Sequence, residues 1–408
     1  MLPLCLRRLF QSFCVLVLVW GSANSALAEE IELIGRVSLP GTTRDLSGLK
    51  GTVAKKYPRD LFGGISAIDY TGSGNRYLLL ADRGPLDGAV SYPCRFHEVE
   101  IEIDPDKSPA ITTRLLKTHL LKDIDGRSIS GAAAKSDGPL PPLVERMDPE
   151  GIRCSPDHKL YISDEYGPAI YEVTEHGVVC GEMQIPGHFR IAVPHADADQ
   201  EASLNSQGRQ PNKGFEGLAL TPDGRYLVAI AQAPLIQDST PTGKGRKRKG
   251  QFSRLFVLDL KTGQNQQWAY PLTETKNGIS EILAISPTEF LVLERDGDGG
   301  NEAHFKAVTH VDASEATDVS AISQLPHKGL PQGVKPVKVQ PWLNLLDERF
   351  GLKGPQMPEK FEGLAFGPTL PDGRRTLVVA VDNDFETDVP TELFVFAIPT
   401  SKLHIAGR

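Results

Sequence analysis

Residues 213–232, KGFEGLALTPDGRYLVAIAQ, and residues 359–384, EKFEGLAFGPTLPDGRRTLVVAVDND, spell nearly the same phrase twice in one chain. Each opens on Phe-Glu-Gly, runs apolar, turns at Pro-Asp-Gly and runs apolar again. Internal self-similarity of this kind marks a repeat fold. Three further segments follow the same plan: GGISAIDYTGSGNRYLLLADRG (63–84), DPEGIRCSPDHKLYISDEYG (148–167) and GISEILAISPTEFLVLERDG (278–297).

Each apolar run is rich in Ile, Leu, Val and Tyr and is bounded by turn formers, which is the pattern of a buried β-hairpin. The turns SPDHK, TPDG and LPDG carry Pro then Asp, as type I turns do. Helix signals are nearly absent. A second strand pair follows several of these hairpins: RFHEVEIEID (95–104), AIYEVTEHGVVCGEMQI (169–185), RLFVLDLKTGQNQQWAYPL (254–272) and ELFVFAI (392–398). An inner and an outer hairpin make a four-stranded antiparallel unit, and repetition of that unit around an axis makes a β-propeller.

The expected fold is therefore all-β, a propeller of five or six four-stranded blades. Five are visible directly, and the long stretches before Glu150 or Glu362 leave room for a sixth. Spacing between copies exceeds a minimal blade of roughly 40 to 50 residues, so insertions are expected at 120–147, 186–213, 233–253 and 311–358. The segment IELIGRVSLP (31–40) reads as a lone strand that closes the ring on the blade ending in ELFVFAI. A two-sheet sandwich is the competing architecture, but it leaves the recurring strand-turn-strand phrase unexplained.

The first 28 residues read as a signal for export. Arg7 and Arg8 precede the apolar CVLVLVW (14–20), and SALAEE offers an Ala-x-Ala cleavage site after Ala28. The mature domain is then 29–408, periplasmic or extracellular, with no stable membrane insertion, because the apolar run is short for a bilayer span. Net charge over the whole chain is −8, and it grows more negative once the two arginines leave. An acidic exported chain argues against nucleic acid as a partner. The one basic run, GKGRKRKG (243–250), reads as a solvated loop. Cys94, Cys154 and Cys180 remain after cleavage, an odd set for which Cys154 with Cys180 is the expected disulfide.

In a propeller, the start of each inner strand and the end of the next converge on one mouth of the central channel. The aligned starts carry Ser66, Glu150, Glu216, Glu281 and Glu362. The ends carry Asp82 and Arg83, Asp164 and Glu165, Gln232, Glu294 and Arg295, then Asp382, Asn383 and Asp384. So many carboxylates in one low-dielectric mouth call for raised pKa values, Arg partners or a bound cation. Oxygen ligands of this kind suit Ca²⁺. The expected metal set is Glu150, Asp164, Glu216, Glu281, Glu362 and Asp382, with Arg83, Glu165 and Arg295 as candidate catalytic groups. A purely architectural reading of each Glu, as an acceptor for backbone N–H groups of the adjoining blade, stands beside it. A second candidate cation site, ERDGDGGNEAHF (294–305), offers Asp296, Asp298, Asn301 and Glu302 but lacks EF-hand spacing, and a solvated acidic loop is its default reading. No Gly-x-Ser-x-Gly elbow occurs, and Ser66 is the one serine placed where a nucleophile would act.

The ordered set of phrases GGISAIDY…LLLADRG, DPEGI…LYISDEYGPAIYEV, NKGFEGLALTPDGRYL, SRLFVLDL, ISEILAISPTEFLVLERDG and FEGLAF resembles the phytase-like esterase domain of secreted bacterial proteins. The resemblance runs from about Gly63 to Ile398. It implies a propeller of the kind used by calcium-dependent phytases and a metal-dependent hydrolase acting on a small phosphoester or carboxyl-ester substrate. The mouth departs from a polyanion site in holding chiefly acids, with Arg83 and Arg295 the expected cations. A gluconolactonase-like lactone hydrolase and a non-catalytic binding module are the alternative functions.

Overall fold

The computed structural model describes residues 30–131, 146–243 and 246–403. The expected signal segment lies outside these residues. Among them, no helix is long and apolar enough to cross a membrane.

The quoted phrases become antiparallel strand pairs at the inner edge of five four-stranded sheets. The inner strands are Ile65–Tyr70, Pro149–Cys154, Phe215–Leu220, Gly278–Ala284 and Phe361–Thr369. Each pairs with the strand that follows it: Arg76–Ala81, Leu160–Asp164, Tyr226–Ala231, Glu289–Arg295 and Arg375–Val381. A third and a fourth strand complete each sheet outward. The inner strands touch one another in a closed circuit, first to second and onward, with the fifth against the first. The fold is thus a β-propeller of five blades, the lower end of the expected range, and among the described residues the intervening stretches form no sixth four-stranded sheet.

The last blade takes three strands from the C-terminal part of the chain and its outer strand, Glu32–Leu39, from the N-terminal part. That strand lies antiparallel to Thr391–Ile398, with Leu39 opposite Thr391 and Glu32 opposite Ala397. Ring closure by the 31–40 segment is as the sequence suggests. Backbone hydrogen bonds across this seam hold the two ends of the circuit together, with the N-terminal strand as the outer edge of the last blade.

Hydrophobic side chains segregate into one cluster between each pair of neighbouring blades. Leu80, Phe96, Ile152 and Tyr171 fill the space between the first and second blades, and Phe215, Leu227, Tyr161 and Ile170 that between the second and third. Trp268, Phe290 and Val292 lie between the third and fourth, Leu293, Phe361 and Phe394 between the fourth and fifth, and Ile65, Leu79, Val378 and Val395 between the fifth and first. Both faces of an inner strand are covered, which is why Phe215–Leu220 is buried at every position and reads as a continuous apolar run. Each such Leu, Ile or Phe contributes about 2 kcal/mol by leaving water.

At the axis the five inner strands are so close that side chains must be small or absent. A Cβ on Gly217 would stand 2.7 Å from the backbone nitrogen of Ile282 in the next blade, and one on Gly363 would stand 2.9 Å from that of Ile68. This explains Gly in Phe-Glu-Gly. The remaining axial space is filled by Arg153, 2% exposed. Its guanidinium donates to the carbonyl oxygens of Ile68 (2.9 Å), Ile282 (2.9 Å) and Leu364 (3.5 Å), in the first, fourth and fifth blades. It also pairs with Glu281 at 2.9 Å. Glu281 in turn accepts from the Leu218 N–H of the third blade at 3.1 Å.

Cys94, Cys154 and Cys180 are free thiols, which corrects the expected disulfide. Cys154 ends the innermost strand of its blade and Cys180 lies in the outermost strand, Val179–Glu182. Three strand spacings separate them, about 14 Å, well beyond the reach of a disulfide.

Removing one partner of the axial pair leaves the other charge buried. Arg153→Met is expected to lower unfolding free energy by about 3 kcal/mol or more, while Arg153→Met with Glu281→Gln recovers part of that loss. Urea titration measures both. A single variant as stable as the parent would contradict the axial role.

Candidate functional site

Every inner strand carries a β-bulge within its first three residues, seen as a register shift across Ser66, Glu150, Glu216, Ser280 and Glu362. A bulge turns its extra residue out of the ladder and re-aims its side chain. Four of the five, Ser66, Glu150, Glu216 and Glu362, line a bowl of about 200 Å³ at the mouth of the channel. A second ring lines the same bowl from the exits of the second strands: Asp82, Glu165, Gln232, Arg295 and Asp382. The main-chain N–H of Asp82, Glu165, Gln232 and Asp382 donates to the carbonyl two residues before the bulge of its own blade, on Gly64, Asp148, Gly214 and Lys360 respectively. The mouth is therefore positioned by the ladder itself and not by mobile loops.

This register corrects two of the expected metal ligands. Glu281 lies one residue past the bulge, at the position held by Gly217 and Gly363, so it points to the axis and Arg153 rather than to the mouth. Its carboxyl is pushed up to about 8 by burial, against the pull of Arg153. Asp164 lies one residue before the exit ring. Its oxygens accept main-chain N–H groups of Asp148 (2.8 Å), Tyr166 (3.3 Å) and Gly167 (2.9 Å), so it shapes the turn and does not face the bowl. Glu294 is the same case in the fourth blade, taken up by Tyr270, Thr273 and Asn277. For these three residues the architectural reading describes the surroundings.

The remaining candidates come together with groups the sequence did not single out. Asp148, Glu150 and Glu165 each offer an oxygen within 4.8 Å of the others, and so do Asp82, Asp382 and Asp384. The second trio is closed by Lys360, which bonds Asp384 and reaches Asp382 at 3.5 Å. Arg295 similarly pairs with Glu362 and donates from Nε to Ser280 Oγ at 3.0 Å. On the first trio, Arg83 holds Asp148 at 2.5 Å and also bonds Asn212. Glu165 takes one N–H from Gly214 at 3.2 Å through Oε1, and Glu216 takes Gln232 at 2.8 Å through its own Oε1. The Oε2 atoms of Glu165 and Glu216 are buried and receive no N–H or O–H from other groups, and the two carboxyls lie within hydrogen-bonding range of one another. Asp148 and Lys360 share a register position two before the bulge, and that spacing, present in DPEG and KFEG, was the signal for both.

Burial pushes the Glu150 and Glu216 carboxyls well above the usual range, with Asp148 and Glu165 adding respectively. Burial and then Asp148 push Glu165 up to about 7. Burial also raises Asp382 to about 7, with Lys360 opposing and Asp384 adding. Burial lowers the Lys213 ammonium, although Glu165 and Glu216 pull it back.

The stretch 294–305 holds no comparable site. Asp296 is spent on Lys306 at 2.8 Å and on the N–H groups of His304 and Phe305.

A carboxyl whose pKa is raised in the folded state keeps its full stability below the ordinary carboxylate range and loses it as pH rises through the folded value. For Glu165 and Asp382 that window runs from about 4 to about 7. In metal-free buffer the melting temperature is expected to fall between these limits, less steeply in Glu165→Gln. A pH-independent melting temperature in the parent protein would contradict the crowding of charge.

An "Uncharacterized secreted protein" of Arthroderma benhamiae is 26% identical to this chain over 360 residues, covering 69% of this chain and 70% of its own length. Among solved structures, the Cps50 (Swd1) β-propeller domain of Myceliophteria thermophila aligns at 12% identity and a TM-score of 0.35, over 83% of this chain and 97% of that one. Virginiamycin B lyase from Staphylococcus aureus aligns at 11% identity and 0.33, over 90% and 100%. A family model described as "Phytase-like: Esterase-like activity of phytase" matches residues 60–385, most of the chain, and this protein belongs to that family.

Proposed function

We propose that the protein is an exported hydrolase of phosphoester or carboxyl-ester bonds that works at the bowl with a divalent cation, Ca²⁺ foremost. Membership of the phytase-like family supports the reaction class, and the description of the Arthroderma relative as secreted supports export. The cation rests on Glu165 and Glu216, two carboxyls that face one another within hydrogen-bonding range and whose buried Oε2 atoms receive no N–H or O–H from any other group. An uncompensated buried carboxylate is costly, and an all-oxygen donor set fits a hard cation.

Asp148, Glu150, Glu165 and Glu216 are the residues that would hold it. When bound, such a cation supplies Lewis acidity toward a phosphoryl or acyl oxygen and lowers the pKa of a coordinated water. Arg83, fixed by Asp148 and Asn212, presents its guanidinium to negative charge developing on the substrate. Arg295 does so from the opposite side of the ring, braced on Glu362. Inner-strand backbones exclude bulk water from beneath the bowl, because Arg153 and Glu281 fill the axis.

Hydrolysis of p-nitrophenyl phosphate, p-nitrophenyl acetate, phytate and a sugar lactone, with calcium and then with EGTA, tests this reading. Turnover of a phosphoester or ester that needs calcium is expected, with a loss of about 100-fold or more in Glu165→Gln and Glu150→Gln. Turnover of the lactone alone would assign the lactonase alternative. Full activity in both variants, or none on any substrate, would overturn the proposal, the latter in favour of a binding module.

A further inference from the structure

Six arginines are buried among the described residues: Arg83, Arg95, Arg146, Arg153, Arg209 and Arg254. Five of them have a carboxylate within ion-pair distance, on Asp148, Asp45, Glu281, Glu201 and Asp238 respectively. Arg146 has none. It is 4% exposed, and its Nε makes no hydrogen bond. Its guanidinium lies over the Tyr166 ring, 4.8 Å from the centroid, and Arg83 lies 5.5 Å from the same ring. Burial of a guanidinium without a partner is unfavourable, and a fork of N–H donors facing a cavity is the usual recogniser of a carboxylate or phosphate.

The cavity exists. Arg146 lines a second hollow of about 200 Å³ with Tyr166, His195, Arg209 and Arg246. It shares Arg83, Asp87 and Asn212 with the acidic bowl, so the two hollows adjoin across a common wall. The connection 186–213 walls one side: its helix Ala198–Leu204 carries the buried Glu201, which already neutralises Arg209 at 2.5 Å. Arg246 comes from the basic run 243–250. Cations thus outnumber carboxylates here, whereas carboxylates outnumber cations in the bowl.

We propose that this side cavity is an anion subsite, in which Arg146 receives a phosphate or carboxylate group of the substrate whose ester bond lies in the bowl. The assignment of an ester bond to the bowl rests on the proposed function; the anion site itself does not. The substrate class is an ester or phosphoester with an additional anionic group. Such a site reconciles an acidic mouth with an anionic substrate, since recognition and bond cleavage occupy adjacent hollows of opposite sign. Arg83, at the shared wall, contacts both.

Calorimetric titration with inorganic phosphate in EGTA buffer tests the subsite without calcium and without ester turnover. The parent protein is expected to bind phosphate, Arg146→Gln about 10-fold or more weakly, and Arg246→Gln a few-fold more weakly. Lys247→Gln, in the same basic run but outside the cavity, is expected to bind as the parent does. Arg146→Gln should melt no lower than the parent in phosphate-free buffer, because it removes an uncompensated charge; Arg146→Lys, which keeps the charge and loses the fork, serves if it does not fold. Phosphate binding that is absent in the parent, or unaltered in the Arg146 variants, would overturn the subsite even if esters are hydrolysed. Binding that depends on Arg146 in a protein that hydrolyses no ester would sustain the subsite and remove only the proposed reaction.

Discussion

The pairing of Arg153 with Glu281 on the propeller axis is the contact on which the rest depends. Five inner strands cannot meet at a point without leaving either a hole or a clash. Here the clash is avoided by glycine at Gly217 and Gly363, and the hole is filled by one guanidinium that bonds carbonyls in three other blades. The cost of burying those charges is offset by their mutual attraction and by fixed hydrogen bonds. A filled axis makes the channel a bowl with a floor.

The bulges follow from the same crowding. Strands that converge this closely must bend, and a bulge bends the strand while throwing one side chain out of the ladder. Because every blade bends at the same place, the displaced residues form a ring, and the exit residues of the second strands form another. Glu150, Glu165 and Glu216 are thereby held close together by backbone geometry, under burial that disfavours their charged forms. Two neighbouring trios resolve the repulsion differently. Lys360 compensates Asp382 and Asp384, whereas on the Asp148, Glu150 and Glu165 side Glu165 meets the Glu216 carboxyl with no cation between them.

The fold was legible because each blade repeats a local rule: apolar run, Pro-Asp turn, apolar run. Even the seam strand at 31–40 was readable from its isolation. The site was legible to within one residue, and one residue matters in a strand, where neighbours face opposite ways. Ile-Ser-Glu in the fourth blade and Asp-Glu at 164–165 each offer two polar groups side by side, and only the bulge register decides which faces the mouth. Glu281 and Asp164 were misplaced for that reason. Arg153 and Arg146 gave no signal, since their surroundings are assembled from blades and loops distant in sequence. The Cys154–Cys180 pairing failed likewise: nearness in sequence spans a whole blade when the chain runs from inner to outer edge.

We propose that the mouth of this propeller is a cation site built by the bulge and exit rings. Calcium titration by calorimetry on the metal-free mature protein tests it most directly, with Glu165→Gln/Glu216→Gln and Glu281→Gln alongside. Saturable binding is expected in the parent and in Glu281→Gln, and none in the double variant. Equal binding in all three, or none in the parent, would contradict it.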